Sequence, residues 1–177
     1  MMEIRKIIAA DAENYRAFRL SALANYPAAF ASTFEEERQK PAAAYISRFG
    51  TPESPDDFIM GAFDAHGTLL GTAGFTRRAR RSECHEGALF AMTVAEQFQA
   101  QGIGRRLVDV LVAEARRQDG LLQIELHVSD GNTPAIRLYE SCGFKVFGKK
   151  PRATMIGGKA VAKIMMLLEL DRAGNCD

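Results

Sequence analysis

Residues 94–107, Val-Ala-Glu-Gln-Phe-Gln-Ala-Gln-Gly-Ile-Gly-Arg-Arg-Leu, constrain the fold more than any other stretch of the chain. They join an apolar run that reads as a strand, Gly87–Val94, to an amphipathic run that reads as a helix, Ile103–Gln118. In that helix Ile103, Leu107, Val110, Leu111 and Ala115 fall on one face. Its start is unusual. Gln99, Ala100, Gln101 and Gly102 include no Ser, Thr, Asp or Asn, so the first N–H groups need an acceptor from elsewhere. Arg105 and Arg106 occupy the first turn, where a cation opposes the helix dipole at a cost of about 0.3–1 kcal/mol each. An anion at this helix end resolves both features, and Gly102 and Gly104 let the backbone close around it. The alternative is an ordinary glycine turn with solvent on the N–H groups. No Gly-Lys-Ser/Thr follows, which excludes a P-loop. Leu107 stands where a dinucleotide fingerprint needs its third glycine.

Short apolar runs and helical runs surround this unit. Glu3–Ile8 reads as a strand. Asp11 is placed to cap a helix carrying Tyr15, Phe18, Leu20 and Leu23. A second helix is expected over Phe34–Phe49, interrupted by Pro41, and Gly50–Asp57 reads as a loop. Phe58–Asp64 and Thr68–Phe75 flank Ala65-His66-Gly67 as a hairpin. Leu121–Val128 reads as a strand. Pro134–Ser141 reads as a helix with Thr133 as its cap and Gly143 after its end, and Phe144–Phe147 and Val161–Leu170 read as late strands. The order β-α-α-β-β-β-α-β-α-β-β predicts one mixed sheet of the α/β (α+β) class.

The length of 177 residues suits a single domain over 1–177, with about 171–177 as a flexible tail. A net charge of +1 supplies no field to hold nucleic acid or an anionic membrane. Cys84, Cys142 and Cys176 lack metal-ligand spacing. They are expected to be reduced thiols in a cytoplasmic protein that binds no metal. The early charges Glu3, Arg5 and Lys6 argue against a signal peptide, and no apolar run approaches the roughly 20 residues of a membrane span.

Gln99-x-x-Gly102-x-Gly104 resembles motif A of the GNAT N-acetyltransferase superfamily, its coenzyme A pyrophosphate loop. Downstream, Asn132-Thr-Pro-Ala-Ile-Arg-Leu-Tyr-Glu-Ser-Cys-Gly-Phe144 resembles the family's motif B. The two in this order are far more specific than either alone. Ile4-Arg5, Asp11, Arg19-Leu20 and the closing Met166–Leu170 extend the likeness over nearly the whole chain. Ala100 departs from it, standing where many members carry glycine. The resemblance implies a mostly antiparallel sheet of six to seven strands with helices on both faces, and acetyl-CoA as cosubstrate. It further implies that Met92 and Val94 bind the pantetheine arm. The backbone of Ala100, Gln101, Gly102, Ile103, Gly104 and Arg105, following Gln99, would hold the pyrophosphate. Asn132 would lie near the thioester and Tyr139 near its sulfur.

Acetyl transfer to a primary amine of a small molecule or peptide, by direct attack in a ternary complex, needs a neutral amine, a polarised carbonyl and a proton for the leaving thiolate. Tyr139 is a candidate donor, with packing beside Leu138 as its alternative. His127 is a candidate base, with Glu86 and His85 as rivals; Glu125 shares its strand face and could orient it. Members of this superfamily that use water in place of a base are also known. Arg77, Arg78, Arg80 and Arg81 read as a solvated hairpin loop or as recognition of an acidic acceptor. Pro27, Phe30 and Phe34 fall where relatives shape the acceptor site, or else belong to the core. Homodimers are common in the superfamily and a homodimer is admitted here. A non-catalytic acyl-CoA binding or sensing domain of the same fold is the alternative function.

Overall fold

The computed structural model describes residues 2–51 and 56–170; the expected tail, Cys176 and most of the loop after Thr51 lie outside the described residues. Seven strands, β1 (Glu3–Lys6), β2 (Phe58–Phe63), β3 (Leu69–Arg77), β4 (Glu86–Val94), β5 (Gln123–Ser129), β6 (Lys145–Ile156) and β7 (Lys159–Glu169), form one sheet. Their order is β1-β2-β3-β4-β5-β7-β6. Every neighbouring pair is antiparallel except β4 with β5. The helices are α1 (Ala12–Asn25), α2 (Phe34–Glu37), α3 (Ile103–Ala115) and α4 (Thr133–Ser141). The sequence of elements is the one expected, and the sheet is mixed and mostly antiparallel.

Two of the three hydrophobic clusters among the described residues explain the layering, the third joining Ala22 and Leu23 of α1 to Phe30. Leu107, Val108 and Leu111 of α3 and Tyr139 of α4 bury against Phe75, Ile124, Leu126 and Val128 on one face. On the other face Tyr15 of α1 packs with Tyr45, Phe49, Ile59 and Phe63. Tyr15 meets Tyr45 and Phe49 edge-on, at 5.3 and 5.1 Å between ring centroids. Such pairs add about 0.5–1.5 kcal/mol each beyond area burial.

Three local expectations are corrected. Asp11 does not cap α1. Its carboxylate accepts from both Arg5 guanidinium nitrogens, at 2.7 and 2.9 Å, and from the Ile8 amide, so β1 holds it away from the helix. The expected helix over Phe34–Phe49 is one turn, α2, capped by Thr33, and then a 3-10 segment, Ala42–Arg48. Pro41, extended at ψ 158°, separates them. The expected strand Phe144–Phe147 runs on to Ile156. Pro151 is accommodated because β6 is the sheet edge and its register with β7 shifts between Lys150 and Thr154. Gly157 and Gly158, at φ 53° and 77°, close the β6–β7 hairpin as a two-residue turn needs.

Candidate active site

The site begins where the sheet comes apart. β4 pairs with β5 only from Glu86/Gln123 to Leu89/Leu126. Just beyond, β4 carries an extra residue relative to β3: Thr72 pairs with Thr93 but Gly74 pairs with Phe90. Ala91 takes φ 48° within this bulge, and its carbonyl accepts a bond from Thr72 Oγ1 at 2.8 Å. A bulge re-aims a strand and interrupts pairing. The resulting cleft has a cavity volume of about 80 Å³ between Leu89–Met92 on one side and Leu126–Ser129 on the other. Phe30, Asn132, Ala135 and Tyr139 complete it.

The α3 N-terminus follows β4 on the helical face. Gly102 is its N-cap in the left-handed conformation, φ 77°, and no side chain caps the helix. Ala100 is also left-handed, at φ 59°. Such a residue costs about 1–2 kcal/mol when it is not glycine, so the loop holds a strained shape. Positive-φ residues leading into a helix N-terminus make an anion-binding concavity. A Cβ built on Gly102 meets no atom within 4 Å, which leaves open space over the loop. Gly104 is tight instead: its Cβ would lie 3.1 Å from Met92 and 3.2 Å from Leu138. These features fit a phosphate-bearing cofactor.

Two proton-carrying side chains reach the cleft. His127 stands one residue past the last β4–β5 pair and contacts Glu125 through Nε2 and Oε1. Tyr139, 6% exposed, packs edge-on to Phe144 at 5.9 Å. Burial pushes its phenol above the ordinary value, with Cys142 adding to the effect. It therefore stays uncharged near neutral pH, with a hydroxyl that can donate a hydrogen bond.

The acetyltransferase (GNAT) family model matches residues 18–144. The chain belongs to this family. A mycothiol acetyltransferase of Propionibacterium freudenreichii is 27% identical over 136 residues, covering 77% of this chain and 40% of that protein. The N-alpha-acetyltransferase RimI of Mycobacterium tuberculosis is 34% identical over 105 residues, covering 59% of this chain and 63% of RimI. The chain thus spans less than two thirds of the length of these relatives. Among solved structures, yncA of Salmonella typhimurium, determined with its cofactor acetyl-CoA, superposes with a TM-score of 0.86 at 23% identity, covering 100% of this chain and 98% of that one.

Within this GNAT fold the expected site residues other than Glu86 fall into three groups. Met92, Asn132, His127 and Tyr139 line the cleft together. Ala100, Gln101, Gly102, Ile103, Gly104 and Arg105 form the α3 entry, where Arg105 is 3.6 Å from Asp109. Gln99 and Val94 serve each other: the Gln99 amide donates to the Val94 carbonyl at 3.0 Å and to the Tyr26 hydroxyl at 3.1 Å. Gln99 thereby pins the loop to β4 and to the residue that ends α1, while its backbone N–H donates to the Glu96 carbonyl at 3.2 Å. Asn132, not Thr133, caps α4 by accepting from the Ala135 amide at 3.3 Å. Thr133 is already the first helical residue.

Glu86 lies outside the cleft. It accepts from Arg78 at 3.2 Å and from the Gln123 amide at 2.7 Å, at the fully paired end of β4. His85 is close by in sequence, and its carbonyl accepts from the Leu122 amide at 2.7 Å. The arginine run is a largely solvated loop with one anchored member. Arg77 is a clasp, donating to the carbonyls of Cys84 and Asp119 at 2.6 Å each. Arg78 reaches Glu86 and, at 3.9 Å, Glu125. Arg78, Arg80 and Arg81 are all exposed, as the solvated-loop reading expected, and only Arg77 is drawn in.

Ser129, Phe90 and the wall at Ala29 are cleft residues that the sequence reading missed. Ser129 had a signal, being two residues past His127 on the same strand face; the others have none short of the register.

Proposed function

We propose that the protein is an acetyl-CoA-dependent N-acetyltransferase acting on a primary amine, without a covalent acetyl-enzyme. The observation that carries this reading is the joining of two features. A split between β4 and β5 holds His127 and Tyr139, and an uncapped, glycine-lined α3 N-terminus lies at the end of the same β4. The α3 entry would hold the pyrophosphate and β4 the pantetheine arm, bringing the thioester into the split. The names of the relatives, mycothiol acetyltransferase and N-alpha-acetyltransferase RimI, support acyl transfer to an amine.

In this reading His127, held by Glu125, takes a proton from the ammonium or from the attacking nitrogen. The nitrogen adds to the thioester carbonyl, a C–N bond forms and the C–S bond breaks. Tyr139 supplies a proton to the departing thiolate and regains one, through solvent, from the nitrogen as it becomes an amide, so that amide and free thiol are the products. A sensor of the same fold would need the α3 loop but neither proton carrier.

The test is thermal stability followed by thiol release. At about 100 times its dissociation constant, acetyl-CoA is expected to add roughly 2.7 kcal/mol of stability, and NAD and ATP far less. Thiol release in the presence of an amine panel then separates enzyme from sensor. Absence of any acetyl-CoA stabilisation overturns the cofactor assignment, and binding without transfer to any amine or peptide favours the sensor.

A further inference from the structure

Lys163 is a buried cation with no counter-ion. The residue is 7% exposed and sits in β7, directly opposite Ser129 of β5. Its ammonium donates to Ser129 Oγ at 2.7 Å and to the Ala28 carbonyl at 3.2 Å. The Ser129 hydroxyl donates a hydrogen bond to the same carbonyl at 2.7 Å. Both acceptors are neutral, one ammonium proton is left over, and no carboxylate lies within 4.0 Å among the described residues. A charge desolvated against neutral partners is costly, and such groups concentrate at functional sites. Burial also holds the Lys163 pKa below its ordinary value, a shift that a bound anion would oppose.

The position on the sheet gives this cation a role. Ile124, Leu126 and Val128 point to the α3–α4 core, so Glu125, His127 and Ser129 stand on the opposite face. That face is covered by α1 and the Pro27–Ala29 turn, whose Ala29 and following Phe30 wall the cleft. A thioester held at the α3 entry must pass through the split, and an amine must meet it from the α1 face. Along that face His127 and Ser129 are successive outward residues, roughly 7 Å apart by strand rise.

A second buried cation reinforces the field. Arg19 of α1, also 7% exposed, has an Nε without a partner and stacks on Phe30, its guanidinium carbon 4.4 Å from the ring centroid. The single buried carboxylate among the described residues, Glu37, is hydrogen-bonded by Lys40 and Tyr45 and also feels the Arg19 charge, so Arg19 is partly compensated and Lys163 is not. Lys163 thus meets the Ala28 carbonyl and Arg19 the Phe30 ring of the same wall, while Glu125 supplies the negative end beside His127.

We propose that Lys163 and Ser129 form a carboxylate-recognition subsite, so that the acceptor is a compact amine bearing a carboxylate, such as a free amino acid. This rests on the acetyl-transfer reading above. The amine would face His127 and the carboxylate would take the remaining Lys163 proton.

The experiment compares the common free amino acids with their carboxamides as acceptors, by thiol release, in the wild type and in Lys163→Met. The wild type should prefer the acid of at least one pair. In Lys163→Met the acid-to-amide ratio of kcat/KM should fall about 30-fold, and in Lys163→Arg less. Calorimetry of N-acetyl amino acids against their amides, with CoA bound, gives the same comparison without turnover. It also serves if Lys163→Met does not fold, with Ser129→Ala as second variant. Equal use and equal binding of acid and amide by the wild type overturn the proposal. A ratio unchanged in Lys163→Met, or preference for peptide or polyamine amines over every amino acid, does so too. In each of these cases acetyl transfer itself stands. Failure to bind acetyl-CoA removes the transfer reading instead.

Discussion

The imidazole Nε2 of His127 is hydrogen-bonded to Oε1 of Glu125, two residues earlier on the same face of β5. The Glu125 side chain is 16% exposed and that of His127 is 45% exposed, so a largely buried carboxylate holds a ring whose other edge is accessible. If the ring is the base, His127→Ala should lower kcat by about 10²–10⁴. It should also flatten the acidic limb of the kcat/KM profile. Glu125→Gln keeps a neighbour of the same shape and should cost less than His127→Ala, since the ring itself remains. A pH profile in His127→Ala that matches the wild type assigns proton removal to water.

Tyr139→Phe should separate binding from chemistry. The ring stays against Phe144 and only a hydroxyl is lost. Proton donation matters only as charge builds on sulfur, and an interaction confined to the transition state lowers the barrier without tightening the ground state. The acetyl-CoA dissociation constant should stay within a few-fold while kcat falls by about 10²–10⁴. Equal single-turnover rates in the two proteins would reduce Tyr139 to a packing residue.

Gly102→Val should spare the fold and weaken the cofactor. A Cβ at this position meets open space, with no more distant part of the protein within 4 Å. The cost is the left-handed φ of 77°, about 1–2 kcal/mol. The valine would, however, fill the open space over the α3 entry. Calorimetry should show a drop in acetyl-CoA affinity larger than the loss in thermal stability explains. Wild-type affinity in a folded variant would mean that the pyrophosphate is held elsewhere.

Glu37 should make stability depend on acid. Burial alone would raise its pKa, but hydrogen bonds from Lys40 and Tyr45 outweigh this and bring it from 4.5 to about 2. A lowered folded-state value means that the native protein binds fewer protons. The contribution is therefore full above about pH 4.5 and disappears as pH falls through about 2. Glu37→Gln should cost about 1–3 kcal/mol near neutral pH, because the Lys40 left behind is partly in water and can resolvate. Urea midpoints of the two proteins should converge on acidification; a constant gap would assign the loss to packing.

The sequence by itself determined the order of elements, the uncapped helix start and the family. It did so because hydrophobic period, missing caps and glycine placement are signals carried within a few residues. It did not reveal that β4 and β5 part after Leu89, because the bulge at Ala91 is not written in local propensity. It could not show Asn132 displacing Thr133 as cap, or Gln99 turning back onto Val94, since each depends on which partner the folded chain brings within reach. The pairing of Ser129 with Lys163, 34 residues apart, is a matter of sheet register. Register is decided by how the two cores on opposite faces are buried together, and that is a property of the assembled sheet and of no segment alone.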